Sequence, residues 1–339
     1  MRILKYLLII TLMSCQEPAN NSFRDRNIIA GSITKTDLFL IYATWDSLIV
    51  VEDIGTGEIL HNIKIQNNCY ARPLLHNNKL YFPWSDSDFS CYDLALRQII
   101  WNRKIGGACR SFELCKQILV INEKDYGISG IDMSSGDKKY ELKYTYDVTC
   151  SIPDLSPYYI VCNQNYFYVC NWICKTITAF DGVTGKEIWN KTFGSAVSNA
   201  ISVNNYIFLG IDNSYQEGKI YLLDSKTGKI LFEQNNKFQV RFNPILSHNK
   251  IYFYSYDNKL NRFNVTDKTN EVVFNFNDGN NPGGGQMYLL DNYLYYSAGD
   301  PMFIYRFDIN NNKLEKVKKA EKSLYEVYTG NKKKIEFIY

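Results

Sequence analysis

The chain of 339 residues carries 38 Lys and Arg against 35 Asp and Glu, and this near balance excludes the clustered basic charge that a nucleic-acid footprint needs. Hydrophobic residues at 45% and charged residues at 22% describe a globular protein rather than a disordered one. The 27 Tyr and 19 Phe favour strands, and only three histidines, His61, His76 and His248, leave little material for imidazole catalysis or a metal centre.

Residues 1–14 open with Arg2 and Lys5, run through an apolar stretch from Tyr6 to Met13, and reach a small residue before Cys15. That order reads as a secretory signal, too short to persist as a membrane span. Leu12-Met13-Ser14-Cys15 resembles the bacterial lipobox, in which the cysteine is diacylated and becomes the new N-terminus. The resemblance implies a lipoprotein signal peptide over 1–14, acylation (palmitate) at Cys15, a lipidated tether over 15–27, and a membrane held through two acyl chains, which suffice for stable anchoring. Gln16 stands where the inner-membrane retention signal would put Asp, so the same resemblance implies the outer membrane of a Gram-negative cell, periplasmic or surface leaflet left open. Loss of Arg2 and Lys5 with the leader leaves 36 basic against 35 acidic residues, a balance of +1. No later stretch approaches the roughly 18 apolar residues of a membrane helix. Cys69, Cys91, Cys109, Cys115, Cys150, Cys162, Cys170 and Cys174 contain no Cys-x-x-Cys pair. They read as small buried hydrophobes, with one or two disulfides as the alternative that export permits.

From residue 28 onward one unit recurs. Asp53-Ile-Gly-Thr-Gly-Glu-Ile-Leu, Asp132-Met-Ser-Ser-Gly-Asp-Lys-Lys-Tyr, Asp181-Gly-Val-Thr-Gly-Lys-Glu-Ile-Trp and Asp224-Ser-Lys-Thr-Gly-Lys-Ile-Leu-Phe share a pattern, and weaker copies begin at Asp93, Asn264 and Asp308. The anchors step by 40, 39, 49, 43, 40 and 44 residues, the length of about four short strands. Each anchor ends an apolar strand. The fourth residue after it is Gly57, Arg97, Gly136, Gly185, Gly228, Lys268 or Asn312, and five of these seven suit the positive φ of a type I turn with a Gly bulge. The eighth is His61, Trp101, Tyr140, Trp189, Phe232, Val272 or Lys316, with Trp101 and Trp189 expected to be buried between neighbouring sheets.

Upstream strands centre on Phe39, Leu80, Ile118, Phe167, Ile207, Ile251 and Leu294, each behind a polar turn and an earlier strand such as Pro73-Leu74-Leu75. The unit is therefore a four-stranded antiparallel meander, A-B-C-D. Seven meanders bury their faces by radial closure, so the expected fold is an all-β β-propeller of seven blades, eight being the alternative, in a single domain over 28–339. A tail strand Leu324–Tyr328, a turn, and a second strand Lys334–Tyr339 either begin an eighth unit or form a closing hairpin against the N-terminal region.

Val-Thr-Gly-Lys-Glu-Ile-Trp after Asp181 and Lys-Thr-Gly-Lys-Ile-Leu-Phe after Asp224 resemble the pyrroloquinoline-quinone-type (PQQ-like) propeller repeat of quinoprotein alcohol dehydrogenases and of the lipoprotein subunit of the outer-membrane β-barrel assembly machine. Repeats cover about residues 28–318. Such a repeat specifies architecture well and chemistry poorly.

In this meander the A-B and C-D turns share one face, and the B-C and D-A connections share the other. Extra length collects on the second face, at 85–90, 212–218, 143–157 and 277–285, which makes it the expected working face. Counting eight residues back from the B strands gives Gly31, Arg72, Arg110, Tyr159, Asn199, Asn243 and Gln286, a polar, partly basic ring around a channel mouth. Tyr144, Tyr146 and Tyr215 in the long connections supply apolar anchors for a protein partner.

Catalytic readings do badly. The resembling dehydrogenases require a Ca²⁺ site and adjacent cysteines over the cofactor, and no two cysteines here are adjacent. Gly283-Gly284-Gly285 lacks the Lys-Ser/Thr of a phosphate loop, and Asp212, Asn213 and Glu217, or Asp86 and Asp88, do not match EF-hand spacing. The reading is a non-catalytic, membrane-anchored interaction scaffold with no cofactor and no metal, possessing a protein partner. The alternatives are a ligand-binding funnel around Arg72 and Arg110, or a quinoprotein-like enzyme with an unrecognised site.

Overall fold

The computed structural model describes residues 39–338 apart from 45–46, 54–57, 67–72, 124–126, 144–158, 164, 172–173, 215–216, 277–287, 291, 299–302 and 320–333. Its strands form seven four-stranded antiparallel sheets. The first contains β1 (Phe39–Thr44), β2 (Leu48–Asp53) and β3 (Ile59–Lys64); the second, β4 (Leu74–His76), β5 (Lys79–Ser85), β6 (Asp88–Asp93) and β7 (Gln98–Lys104). The third holds β8 (Cys109–Cys115), β9 (Ile118–Glu123), β10 (Gly127–Asp132) and β11 (Lys138–Lys143); the fourth, β12 (Tyr159–Cys162), β13 (Tyr166–Asn171), β14 (Thr176–Asp181) and β15 (Glu187–Thr192). The fifth holds β16 (Ala196–Val203), β17 (Tyr206–Ser214), β18 (Glu217–Asp224) and β19 (Ile230–Asn236); the sixth, β20 (Val240–Ser247), β21 (Lys250–Ser255), β22 (Lys259–Asn264) and β23 (Thr269–Asn275). The seventh is β24 (Tyr288–Leu290), β25 (Tyr293–Ala298), β26 (Phe303–Asp308) and β27 (Lys313–Lys319).

These meanders are the blades of a β-propeller, and among the described residues they number seven. The fourth strand of the first blade is β28 (Lys334–Ile338), which pairs antiparallel with β1 from Leu40 opposite Ile338 to Thr44 opposite Lys334. The tail thus completes the first blade rather than starting an eighth, while the expected strand at 324–328 lies outside the described residues. Backbone packing divides the chain into two compact units. One contains Arg24–Ala108 and Asp278–Tyr339, hence sheets one, two and seven; the other is Cys109–Asn277, sheets three to six.

Within each unit the core lies between neighbouring sheets, and period-two alternation decides which neighbour a side chain meets. Along β17, Ile207, Leu209 and Ile211 pack with Tyr168, Cys170 and Ile177 of the fourth sheet. Phe208, pointing the other way, packs with Ile251, Phe253 and Phe263 of the sixth. Both faces being covered, the middle strands read as continuous apolar runs; every residue of β9 is buried. The last strand of a meander has one covered row, so in β7 only Trp101 is buried. The B strands begin, rather than centre, on the residues picked out by sequence: Phe39 opens β1, Ile118 opens β9 and Leu80 is second in β5. The polar turn ends immediately before them, and the apolar run extends three or more residues further.

Candidate functional site

The repeat anchor is the last residue of the third strand in all seven sheets: Asp53, Asp93, Asp132, Asp181, Asp224, Asn264 and Asp308. Its side chain folds the following turn. The Asp132 carboxylate accepts the amides of Ser134 and Ser135 at 3.0 and 3.1 Å and the Ser134 hydroxyl at 2.6 Å. Asp181 and Asp224 accept in the same way from Val183 and Thr184, and from Lys226 and Thr227. Asp93 and Asp308 also hold two amides each, and Asn264 holds that of Thr266. Hydrogen bonds to a carboxylate favour its charged form. The Ser134 hydroxyl therefore leads in holding Asp132 down at about 2, with the amides and Lys139 assisting against burial.

The fourth residue after the anchor has positive φ at every described position: Gly136, Gly185 and Gly228 at 73, 70 and 67°, but also Arg97, Lys268 and Asn312 at 55, 58 and 53°. Arg97 and Lys268, which sequence reasoning set apart, adopt the left-handed conformation because the surrounding bonds impose it. In the sixth sheet, for example, the Lys268 amide donates to the Asn264 carbonyl at 2.9 Å. Gly57 lies outside the described residues, and of Asp53 only the strand position is described.

A second irregularity was not visible in the spacing. In the first five sheets the C-D pairing skips one residue immediately before the eighth position: Leu60, Ile100, Lys139, Ile188 and Leu231. A bulge re-aims the next side chain, and in these sheets it delivers His61, Trp101, Tyr140, Trp189 and Phe232. In the sixth and seventh sheets, where Val272 and Lys316 replace an aromatic, the skip falls after that position.

Two of the delivered rings, Tyr140 and Trp189, lie over the next sheet's turn. The Tyr140 hydroxyl donates to the Gly182 carbonyl at 3.3 Å, and its ring covers Gly185. The Trp189 indole donates to the Ser225 carbonyl at 3.1 Å, and its ring covers Gly228. His61 meets Tyr92 edge-on at 6.0 Å, beside the charge of Arg97, and Phe232 meets Phe263 at 5.2 Å. Trp101 is buried, at 5% exposure, against Tyr81 and Phe89 of its own sheet. Trp189, expected to be equally buried, is half-buried, and its N–H donates to the carbonyl of Ser225, a buried residue just after the anchor.

The two turn types expected on one face are tied together. The amide following the anchor donates to the A-B turn of its own sheet: Leu94 to Asn78, Met133 to Gln117, Gly182 to Asn165, Ser225 to Asn205, Val265 to Asn249 and Ile309 to Asn292, at 2.8 to 3.0 Å. At the opposite end, Ile65, Ile105, Phe193 and Phe276, all buried, donate to the B-C turn at Ser47, Ser87, Lys175 and Asn258. This recurrent apolar residue twelve positions after each of those anchors is a sequence signal that the repeat search passed over.

On this B-C end the connections differ from the expected loops. Residues 85–90 form a tight hairpin, with Ser85 opposite Asp88. Residues 212–218 are mostly strand, with Asp212 opposite Gly218. Asp88 accepts Ser85 at 2.6 Å and Lys104 at 2.8 Å, and its carboxyl stays below the usual range although burial opposes this. Burial pushes the Asp212 carboxyl up, partly offset by the Gln239 amide at 2.5 Å. Among the described residues no group of three or more His, Cys, Asp or Glu could hold a metal.

Of the candidate interaction residues, Arg110 is second in β8, and Asn199 and Asn243 are fourth in β16 and β20. The A-B pairing breaks at or beside all three: it skips Arg110, resumes at Asn199, and is interrupted between Arg241 and Ile245. Tyr159 opens β12 in regular pairing. Gly31, Arg72, Gln286, Tyr144, Tyr146, Tyr215 and Cys15 lie outside the described residues.

The family model described as "Outer membrane protein assembly factor BamB" matches residues 174–278. The chain resembles BamB in repeat and fold. BamB from Moraxella catarrhalis superposes with a TM-score of 0.59 at 12% identity, covering 83% of this chain and 88% of that one. The computationally designed Ika8 protein superposes with a TM-score of 0.67 at 15% identity, covering 86% of each chain. No curated protein matches the sequence significantly.

Proposed function

We propose that this protein is a non-catalytic β-propeller scaffold, acylated at Cys15 and tethered by residues 15–27 to the outer membrane of a Gram-negative cell, with residues 28–339 as one interaction domain. The observation that carries the reading is the match of residues 174–278 to the BamB model, whose description names an assembly factor. Envelope protein assembly is accordingly the process proposed, and a protein the partner. The interaction face is the B-C and D-A side. Support comes from the broken A-B pairing around Arg110, Asn199 and Asn243, since bulges recur where a strand re-aims side chains. Arg72, Gln286, Tyr144, Tyr146 and Tyr215 are proposed to join them there. Arginine suits carboxylate-bearing partners through bidentate hydrogen bonding.

The test is capture from detergent-solubilised membranes. Arg72→Glu with Arg110→Glu is expected to weaken capture of the partner, with thermal stability unchanged. Lys186→Glu with Lys229→Glu, two exposed positions on the anchor-turn face, is expected to leave capture intact. Equal loss in the lysine pair, or none in the arginine pair, assigns the wrong face.

A further inference from the structure

Cys115 ends β8 and Cys162 ends β12, first strands of adjacent sheets within one compact unit. The Cys115 Sγ lies 3.3 Å from the carbonyl oxygen of Asn163, the residue after Cys162. Both sulfurs sit in the same apolar cluster, with Ile118, Ile160, Phe167 and Tyr140. Cys170 belongs instead to the cluster on the other face of the fourth sheet. Cys174 is disulfide-bonded, so the chain already holds one cross-link of the kind that oxidising compartments allow.

We propose that Cys115 and Cys162 form a disulfide that staples the third sheet to the fourth. In the folded protein both are free thiols, and burial pushes the Cys162 thiol well up, with Cys115 adding to the shift. The thiolate is the attacking species, so the folded pair exchanges slowly and the bond forms while the sheets are still closing. One thiolate attacks an external disulfide, protein or glutathione, and releases its first thiol. The second cysteine then displaces the other half from the mixed disulfide. Two electrons pass to the external disulfide, and the two cysteine protons end on the two released thiols.

The experiment uses the full chain exported from a Gram-negative host, denatured in iodoacetamide without reductant and mapped by mass spectrometry. The expected product is one linked peptide pair containing Cys115 and Cys162, lighter by two hydrogens than the separate thiol peptides. A second sample, reduced, unfolded and refolded in mixed oxidised and reduced glutathione, is expected to yield the same pair. Its urea midpoint should then fall on reduction. Alkylation of both cysteines in the refolded sample, or pairing of either with another cysteine in either sample, overturns the proposal.

Discussion

Gly228→Ala tests whether the ring over the neighbouring turn is a mechanical contact or a coincidence of spacing. A Cβ at this position would stand 2.7 Å from Cε3 and 2.8 Å from Cδ2 of Trp189, with the backbone at φ +67°. Two costs separate. The left-handed conformation costs an alanine about 1–2 kcal/mol, and forcing the indole aside adds about 1–3 kcal/mol, as overpacking does. Trp189→Ala by itself should cost about 2–4 kcal/mol, less than a fully buried ring because Trp189 is half-buried, and including its hydrogen bond to Ser225. With alanine already at 189, the second cost disappears, and Gly228→Ala should cost only about 1–2 kcal/mol. Urea unfolding followed by far-UV circular dichroism on the four proteins gives the cycle, and the expected coupling is about 1–3 kcal/mol. Arg97 and Lys268 carry long side chains at the equivalent φ, so the turn itself accepts a Cβ. Additivity within about 0.5 kcal/mol would falsify the latch.

Three other outcomes are expected. The Asp132 carboxyl is held at about 2 in the fold, below its ordinary value, so its stabilisation is complete above the unfolded pKa and drains away as pH falls from there through about 2. Asp132→Asn, the residue type that occupies the sixth anchor, should therefore lose less stability than wild type between about pH 5 and about pH 2, and identical urea midpoint shifts would remove the carboxylate from the account. Deleting residues 334–339 strips β1 of its partner along Leu40–Thr44, which exposes a strand edge; a lower melting temperature and concentration-dependent aggregation are expected, and unchanged melting would contradict the pairing. Replacing Cys15 with Ala should move the protein from the membrane pellet to the soluble fraction, and continued pelleting with an unmodified wild-type N-terminus ends the lipidation proposal.

The anchor turns were legible because their physics is local. An Asp or Asn whose side chain caps the next two amides, followed by a residue at positive φ, needs only five consecutive positions, so Asp132, Asp181 and Asp224 announce themselves in the chain. Blade number was nearly as accessible, since it is a count of such turns. Arg97 and Lys268 escaped the glycine rule, however, because a backbone held by bonds on both sides can carry a residue into a conformation it would not choose alone. The polar ring was placed by counting from strand centres. Those centres proved to be strand starts, and the count landed on breaks in pairing at Arg110 and near Asn199 and Asn243.

Short-range chemistry thus carried the repeat, the turn and the all-β class from the order of residues alone. The seating of the Trp189 ring over Gly228 and the union of Lys334–Ile338 with β1 depend on partners far away in the chain. A strand's period of two leaves its register free until a neighbouring sheet claims one face, and that choice is made by packing.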